Sequence, residues 1–458
     1  MAIDSQAKTK SPQWFLTKAI AAPILLGTLL LMMPPASRSG QWTDPLTALF
    51  MATSAMCVTG HTVVDPGSYF SLFGQLVLLG LVQLGGLGFM TLATVCLVLL
   101  GRRLSIQSEL TLTASLGGEE AHQLRRLLYR TIVFAFAAEG VGALVLMTRL
   151  ILGHGLPAGR AFYQGAFHAV NAFCNAGFSL FPDNLMAVRG DKIFILTMAV
   201  LIIMGGLGFL VINEFAAFKF WRQNRLARGR LSLHARVVAL ASVALIVAGG
   251  LAFALLEWEH TLAPLRVADK LNCALFQSIT PRTAGFNVVD MAQTHAATRF
   301  FTMLLMFIGG SPGSAAGGIK TTTAVVLLST MLAIIRGKRD ATFQRRTISV
   351  RVVEEALAVF LLGLAVVGGI YGLLLVSEES ALVAARFTPE ALLFETISAF
   401  GTVGLSTGIL PGLTVMGKLL IVLGMFIGRV GPLTMALVVG LKDTRQLVRF
   451  PEENVTIG

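Results

Sequence analysis

The sequence predicts an all-α polytopic membrane protein built from four parallel helix–loop–helix repeats, with eight transmembrane helices around a pseudo-fourfold axis. Three observations predict it: an apolar composition, basic residues confined to alternate loops, and a glycine signature that recurs four times. Of the 458 residues, 55% are hydrophobic and 13% are charged, whereas soluble domains carry roughly 25% charged residues. Several apolar stretches are long enough to cross the roughly 30 Å hydrocarbon core of a bilayer.

Basic residues predict the orientation of the chain. Lys and Arg cluster at 101–130, 219–236, 336–351 and 441–450, and Lys8 and Lys10 lie near the N-terminus. The segments between these clusters are acidic or poor in charge, so the net charge of +12 indicates cytoplasmic loops rather than a nucleic-acid surface. Both termini are then cytoplasmic, which requires an even number of crossings. Eight are expected, at about 17–34, 71–100, 127–152, 192–218, 236–256, 298–335, 352–376 and 414–440.

The first apolar segment is expected to stay in the protein as a helix, because no convincing small-residue cleavage site follows Lys18. The four cysteines show no metal-binding spacing and are expected to be packing residues. The predicted division is an N-terminus at 1–16, repeats at 17–100, 127–218, 236–335 and 352–440, cytoplasmic loops at 101–126, 219–235 and 336–351, and a C-terminus at 441–458.

Each repeat contains a short apolar stretch, too short to cross the membrane, that is followed by a glycine. These glycines are Gly60, Gly177, Gly285 and Gly404, separated by 117, 108 and 119 residues. A second landmark follows in the next span: Gly85 and Gly86, Gly205 and Gly206, Gly309 and Gly310, and Gly428 and Arg429. Two matched landmarks in four units predict a true internal repeat.

Four parallel copies place four re-entrant loops around one axis. Non-helical backbone at membrane depth is tolerated only when it is buried in protein or lines a wet cavity. A ring of such loops is typical of a cation filter, in which backbone carbonyls replace the hydration shell of the ion. The predicted ion-binding residues are Val58, Thr59, Gly60, Asn175, Ala176, Gly177, Thr283, Ala284, Gly285, Thr402, Val403 and Gly404. For Gly85, Gly86, Gly205 and Gly206, close helix packing is the favoured interpretation.

These loops resemble those of the Trk/Ktr/HKT superfamily of potassium transporters. The loops read "TSAMCVTGHTVVD", "FCNAGFSL", "TPRTAGFN" and "FGTVGLSTG", and only the fourth keeps an intact Thr402-Val403-Gly404. The resemblance covers nearly the whole chain. The first loop of this chain is most similar to that of KtrB-type membrane subunits. TrkH-type members usually carry two further N-terminal helices, which are not visible here. Sodium-favouring plant members often have Ser at the first filter glycine, so Gly60 implies K⁺ at the filter carbonyls.

The segment "GGSPGSAAGGIKTTT" at 309–323 interrupts the second span of the third repeat. It is not a phosphate-binding loop, because Ile319 separates Gly318 from Lys320 and no predicted strand precedes it. The resemblance implies an intramembrane gate below the filter. The predicted gate residues are Gly309, Gly310, Ser311, Gly313, Ser314, Gly317, Gly318, Lys320 and Arg429.

Arg429 and Lys320 are predicted to lie within the membrane, where a positive charge is costly and needs a partner or water. The resemblance implies that Arg429 is a fixed charge near the pore that helps to hold the gate; a salt bridge elsewhere is the alternative. Lys320 could be a positive barrier or could extend to the interface. Structural pairing is expected for Glu139, Arg149 and Glu214.

Four polar residues lie near the filter loops. Glu395 and Asn171 are expected to hydrogen-bond the filter backbone. His61 and His168 show no ligand spacing, so no metal site is assigned to them.

The predicted function is channel-like K⁺ uptake across the bacterial cytoplasmic membrane, with a coupled symport mechanism left open. The resemblance implies a homodimer, a cytosolic KtrA-type nucleotide-binding regulatory ring, and Na⁺ as a possible activating ion. No covalent cofactor and no nucleic acid are expected. One alternative is a TrkH/HKT-like transporter that also carries Na⁺. The remote alternative is an intramembrane enzyme using Ser311 or Ser314 with His168, although the sequence favours a non-enzyme because catalysis does not require four copies of a loop.

Overall fold

The computed structural model describes residues 12–100, 119–217, 231–338, 340–344 and 346–431. The predicted cytoplasmic segments 1–16, 101–126 and 219–235 lie partly outside these residues, the C-terminus at 441–458 wholly so, and the eighth expected span is described only to 431. Within the described residues the chain is almost entirely helical, which agrees with the all-α prediction.

The first repeat holds α1 (Pro12–Met32), α2 (Pro45–Met56), α3 (Pro66–Tyr69) and α4 (Leu72–Leu100), and a 3₁₀ turn at Pro34–Ala36. The start of α2 has a local cause. The Asp44 side chain accepts a hydrogen bond from the Thr47 amide, and a proline follows at the first helical position. These features begin a new helix at Pro45, after the connecting segment that follows α1.

The second repeat holds α5 (Glu119–His154), α6 (Ala158–Cys174), α7 (Lys192–Leu207) and α8 (Phe209–Ala217), with a 3₁₀ turn at Met186–Val188. The expected span at 192–218 consists of two helices rather than one. The chain bends by 103° between α7 and α8, and Gly208 at the bend has φ +84°. A Cβ there would lie 2.7 Å from the carbonyl oxygen of Pro312, so the break makes room for the loop of the third repeat.

The third repeat holds α9 (Leu233–Glu257), α10 (Val267–Ile279), α11 (Ala296–Phe307) and α12 (Thr321–Ile335), with a 3₁₀ turn at Met291–Gln293. A β-hairpin follows, in which β1 (Thr342–Phe343) pairs antiparallel with β2 (Arg346–Thr347). The fourth repeat holds α13 (Val350–Ser377), α14 (Glu379–Val383), α15 (Pro389–Gly401) and α16 (Val415–Val430), with a 3₁₀ turn at Leu410–Gly412.

In the part of the chain that the structure describes, three helical segments are each long and apolar enough to cross a membrane: Tyr129–His154, Leu233–Glu257 and Val350–Ser377. The bent pair α7 and α8 passes the same test when it is counted as one span. Segments of α1 and α4, and α11 and α12 on either side of the gate loop, are shorter apolar helices. Large apolar side chains such as Leu25, Leu251 and Leu361 are exposed on the outside of the bundle, as expected for a surface that faces lipid rather than water.

The packing closes into a ring. The short helices α2, α6, α10 and α15, which we call the pore helices, each pack on the first span of their own repeat. Each second span also packs on the pore helix of the following repeat: α4 on α6, α7 on α10, α11 on α15, and α16 on α2. The last of these contacts joins the fourth repeat to the first. We call the end of the bundle where the pore helices begin the pore-helix face, and the opposite end the basic face.

Candidate functional site

Within four residues of its end, each pore helix is followed by a residue with left-handed backbone. These are Val58 (φ +55°), Asn175 (φ +60°), Thr283 (φ +74°) and Thr402 (φ +49°). Valine and threonine are β-branched and rarely adopt this conformation, so the loops are held in place by their surroundings. Two residues later, each loop has its glycine, again with positive φ: Gly60, Gly177, Gly285 and Gly404. The four loops therefore share one backbone pattern despite their different side chains.

The four glycines meet in a closed ring. A Cβ added to Gly60 would lie 2.4 Å from the carbonyl oxygen of Ala176 and 2.9 Å from the Cα of Gly177. The same placement repeats around the axis, because Gly177 faces Ala284 and Gly285, Gly285 faces Val403 and Gly404, and Gly404 faces Thr59 and Gly60. The carbonyl oxygen before each glycine thus lies at the junction between neighbouring loops.

Hydroxyl groups in or at the end of the pore helices bond the loops of the first, third and fourth repeats. Ser54 Oγ accepts from the Gly60 amide at 3.1 Å, and Ser398 Oγ accepts from the Gly404 amide at 3.1 Å. Ser398 also donates to the carbonyl oxygen of Leu405 at 2.7 Å. In the third repeat, Thr280 donates to the carbonyl oxygen of Phe286 at 2.6 Å. Sequence reasoning missed these residues, although a Ser-Ala pair six and five residues before Gly60 and Gly404 was a visible signal.

The polar residues near the loops divide into two groups. Glu395 Oε1 accepts from the Thr407 amide at 2.7 Å and from the Ser406 hydroxyl at 2.8 Å, which agrees with the expected bond to the filter-loop backbone. Asn171 does not use its side chain in this way, because its amide donates to the carbonyl oxygen of Phe167 within its own helix. Only the backbone oxygen of Asn171 reaches the loop, where it accepts from the Ala176 amide at 2.7 Å.

The two histidines differ, because among the described residues His168 is within hydrogen-bond distance of two partners and the ring of His61 is not. His168 lies 2.7 Å from the carbonyl oxygen of Gln164 and 3.0 Å from Ser179 Oγ, so it braces the second loop. His61 Nε2 lies 3.8 Å from Glu395 Oε2. Ser314 Oγ donates to the carbonyl oxygen of Ser311. Among the contacts of the described residues, His168 meets neither Ser311 nor Ser314, so the nucleophile–base pair of the enzyme alternative is not formed.

A cavity of about 400 Å³ opens on the pore-helix side of the glycine ring. Its lining includes Gly60, Gly177 and Gly404 together with three carboxylates. The carboxylates are Asp65, Asp183 and Asp290, one from each of the first three repeats. A cleft lined by one sign of charge raises the local concentration of counter-ions. The cavity therefore concentrates cations in front of the ring, a feature that the sequence reasoning did not identify.

The segment 309–323 is folded against the other side of the ring. A Cβ on Gly317 would lie 2.2 Å from Thr402 Oγ1, and one on Gly309 would lie 3.4 Å from the Thr283 methyl carbon. The Ser311 amide donates to the carbonyl oxygen of Gly206 at 3.1 Å, and the Ala315 amide to that of Gly205 at 3.3 Å. The gate loop thus covers the ring and is docked on the free carbonyl end of α7.

Arg429 connects this loop to the first repeat. Its side chain is 2% exposed. One guanidinium nitrogen donates to the carbonyl oxygen of Ala315 in the gate loop, and the other donates to that of Gly85 at 2.5 Å. Lys320 Nζ donates to the carbonyl oxygen of Ala316 at 2.6 Å. Both intramembrane cations therefore contact backbone carbonyls of the gate loop.

The second-span glycines allow close packing. A Cβ on Gly85, Gly205 or Gly428 would lie 2.1 Å, 1.8 Å or 1.9 Å from the carbonyl oxygen of Met56, Phe173 or Phe400. Each of these carbonyls lies two residues before the left-handed end of its pore helix. The packing interpretation therefore agrees with the structure for Gly85 and Gly205.

The expected structural pairs are also present. Glu139 accepts from Gln83 at 3.1 Å, Arg149 contacts Asp191 at 3.0 Å, and Glu214 accepts from the Ser232 amide at 2.9 Å.

Comparison with known proteins gave consistent results. Residues 4–444 match the family model TrkH, described as a cation transport protein. The chain is 38% identical to the Ktr system potassium uptake protein B of Bacillus subtilis, with 95% of this chain and 94% of the relative covered. It is 36% identical to the protein of the same name from Vibrio alginolyticus, with 99% and 96% covered. It is also 36% identical to the potassium/sodium uptake protein NtpJ of Enterococcus hirae, with 98% of both chains covered.

The fold is similar to a solved structure as well. The crystal structure of the potassium transporter TrkH from Vibrio parahaemolyticus superposes with a TM-score of 0.71 at 17% sequence identity. The superposition covers 96% of this chain and 87% of that one.

Proposed function

The chain belongs to the TrkH family of cation transport proteins, and from this premise we propose that it is the ion-translocating subunit of a Ktr-type potassium uptake system. The observation that carries the proposal is the closed ring of Gly60, Gly177, Gly285 and Gly404, with a carbonyl oxygen at each junction. Such oxygens can replace the hydration shell of K⁺. Transport is channel-like and driven by the membrane potential.

The proposed path of the ion follows from the order of features along the axis. A cation enters the cavity lined by Asp65, Asp183 and Asp290, loses water at the glycine ring, and then meets the docked loop at 309–323. In this conformation the loop closes the path below the ring. Flux requires the loop to leave Gly205, Gly206 and Arg429, so these contacts set the fraction of time for which the pore is open.

K⁺ is the proposed main substrate, because two of the relatives described above are named as potassium uptake proteins. Gly60 supports this proposal, since the first loop carries no side chain at the ring. Transport of Na⁺ is the second candidate, and the name of the potassium/sodium uptake protein NtpJ favours it. No covalent cofactor and no enzymatic role are proposed.

The partners are proposed from the family resemblance and from the relatives named as parts of a Ktr system. We place the chain in the bacterial cytoplasmic membrane as a homodimer, with both termini in the cytoplasm. A KtrA-type nucleotide-binding ring would dock on the basic face, where Arg236, Arg336 and Arg351 lie near the ends of the spans. The β-hairpin at 342–347 belongs to the same face. We retain the four-repeat division of the chain given above as a proposal.

K⁺ flux into liposomes tests the proposal. Purified protein would be reconstituted and K⁺ uptake followed under a fixed potential, with Na⁺ as the competing cation. The wild type would be compared with a deletion of 310–318. We expect K⁺-selective flux that rises when the loop is shortened. Absence of flux of either cation in both proteins, at matched insertion, would refute the transport proposal.

A further inference from the structure

Three potential metal ligands meet on the pore-helix face of the third repeat. Glu257 is the last residue of α9, His260 lies in the turn that follows, and His295 is the N-cap of α11. One ligand atom from each lies within 4.8 Å of the others. His260 Nδ1 is 3.1 Å from Glu257 Oε2, and the two imidazole rings are 4.0 Å apart between centroids.

A structural brace explains the carboxylate but not the histidines. Glu257 Oε1 accepts from the His295 amide at 2.8 Å and from the Thr298 hydroxyl at 2.5 Å, which ties the end of α9 to the start of α11. The fourth repeat has the same brace, in which Glu378 accepts from the Thr414 amide at 3.1 Å.

The two braces differ in the residues around the carboxylate. Three residues after it, the third repeat has His260 where the fourth has Ala381. At the N-cap of the second span, the third repeat has His295 where the fourth has Thr414. The brace therefore forms without imidazoles, and the third repeat has two in addition.

We propose that Glu257, His260 and His295 bind a divalent first-row transition metal of the Zn²⁺ type. Imidazole nitrogen with one carboxylate suits this class, whereas Mg²⁺ and Ca²⁺ prefer sites made of oxygen. In tetrahedral Zn²⁺ sites, bonds of about 2.0–2.2 Å put ligand atoms roughly 3.4 Å apart. His260 and Glu257 already have nearly this spacing, and both histidines are exposed. Rotation of the His295 side chain brings in the third ligand, and water fills the fourth position.

The surroundings support a dication. With neutral imidazoles the cluster carries one negative charge, and Thr298 and the His295 amide orient the carboxylate through Oε1. Oε2 faces His260 and also accepts from the Thr261 hydroxyl at 2.8 Å. Groups that hydrogen-bond a metal-ligating side chain and fix its orientation commonly raise the affinity for the metal. The nearby cation Arg299 is paired with Glu390 at 2.8 Å, so its charge is compensated. Bound metal would join the ends of α9 and α11, and α11 leads directly to the gate loop.

Metal titration of the detergent-purified chain, stripped with a chelator, tests the site without any transport assay. The matched variants are His260→Ala and His295→Thr, because the fourth repeat folds with alanine and threonine at these positions. His154→Gln is the control, since His154 also lies on the pore-helix face, near Asp191. Isothermal titration calorimetry would use ZnCl₂ and, separately, MgCl₂.

We expect one Zn²⁺ to bind to the wild type and to His154→Gln, together with a rise in the midpoint of thermal unfolding. Affinity should fall by about 100-fold in each site variant, since removal of even an outer partner of a ligand costs 10–100-fold. Mg²⁺ should not compete. Unchanged Zn²⁺ affinity in the double variant His260→Ala/His295→Thr, or no Zn²⁺ binding to the wild type, would overturn the proposal.

Discussion

Replacement of Arg429 by methionine should open the pore. The variant keeps an unbranched side chain of similar length but loses the guanidinium donors to Ala315 in the gate loop and to Gly85 in the first repeat. A hydrogen bond to a charged group contributes about 1.5–3 kcal/mol. The bond to Ala315 joins the loop, so the docked conformation should lose about that amount. Because 1.4 kcal/mol corresponds to about tenfold, the ratio of undocked to docked loop should rise by roughly 10- to 150-fold.

The assay is K⁺ flux into liposomes at a fixed potential, normalised to inserted protein. Flux should rise in Arg429→Met by up to the same factor, until the undocked state predominates. Arg149→Met is the matched control, since Arg149 contacts Asp191 on the pore-helix face and not the gate loop. Its flux should equal that of the wild type.

The same substitution in the background of the 310–318 deletion separates two mechanisms. If Arg429 acts by holding the loop, its replacement should add little once the loop is shortened. If it acts only as a positive barrier to the ion, the two effects should multiply. Unchanged or reduced flux in Arg429→Met, or a full multiplicative effect, would refute this reasoning.

Three further predictions concern the filter, the gate and the pore-helix face. Ser398→Ala removes the acceptor for the Gly404 amide; it should lower the free energy of unfolding by about 1–3 kcal/mol and weaken K⁺ selectivity in the flux assay. Gly208→Ala should raise flux, because the added Cβ approaches the docked gate loop at a residue with φ +84°. Asp191→Asn keeps the N-cap but removes the ion pair with Arg149; at neutral pH it should lower the free energy of unfolding by less than about 1 kcal/mol, measured as a slightly lower midpoint of thermal unfolding.

The Asp191 prediction includes a pH dependence. Burial acts to raise the pKa of this carboxyl, but the hydrogen bond from the Phe194 amide and the Arg149 guanidinium hold the pKa below its ordinary value. The stabilisation is therefore present above the unfolded value and is lost as the pH falls through the folded value. The melting curves of the wild type and Asp191→Asn should converge in acid. A constant difference at all pH values would contradict the ion-pair explanation.

The other two predictions have matched controls. Thr396→Ala removes a hydroxyl of the same pore helix that bonds only Leu392 within that helix, so selectivity should be unchanged. Gly140→Ala adds a methyl group where, apart from its chain neighbours and the nearby backbone of its own helix, no described atom lies within 4 Å, and flux should not change. Equal effects in a variant and its control would show that the change in selectivity or flux comes from general destabilisation.

The repeat could be predicted from the sequence because a loop at membrane depth needs glycine at one fixed position. Gly60, Gly177, Gly285 and Gly404 therefore revealed the ring before any contact was known. The Gly/Ser/Ala composition of 309–323 likewise predicted a break in its span, and the structure has a loop there between α11 and α12. Family membership, which the four loops predicted, is confirmed, whereas the roles of the individual filter and gate residues remain predictions.

Other features depend on contacts that are distant in sequence. The bond between Arg429 and Gly85 joins residues 344 positions apart, and no local pattern indicates it. The break at Gly208 exists because the loop of another repeat occupies the space beside it. Asn171 was assigned to the filter from its position, but the carbonyl oxygen of Phe167 one helical turn earlier is a closer partner.

The most direct test of the glycine ring is the K⁺/Na⁺ selectivity of Gly60→Ser beside the wild type, measured as competitive flux into liposomes. A side chain at Gly60 would approach the Ala176 carbonyl oxygen to 2.4 Å, so the ring must distort while the gate is left intact. We predict K⁺-selective flux in the wild type and a clear loss of that selectivity in Gly60→Ser, with cation flux retained. The same K⁺ preference in both proteins would contradict the assignment of the ring as the selectivity filter.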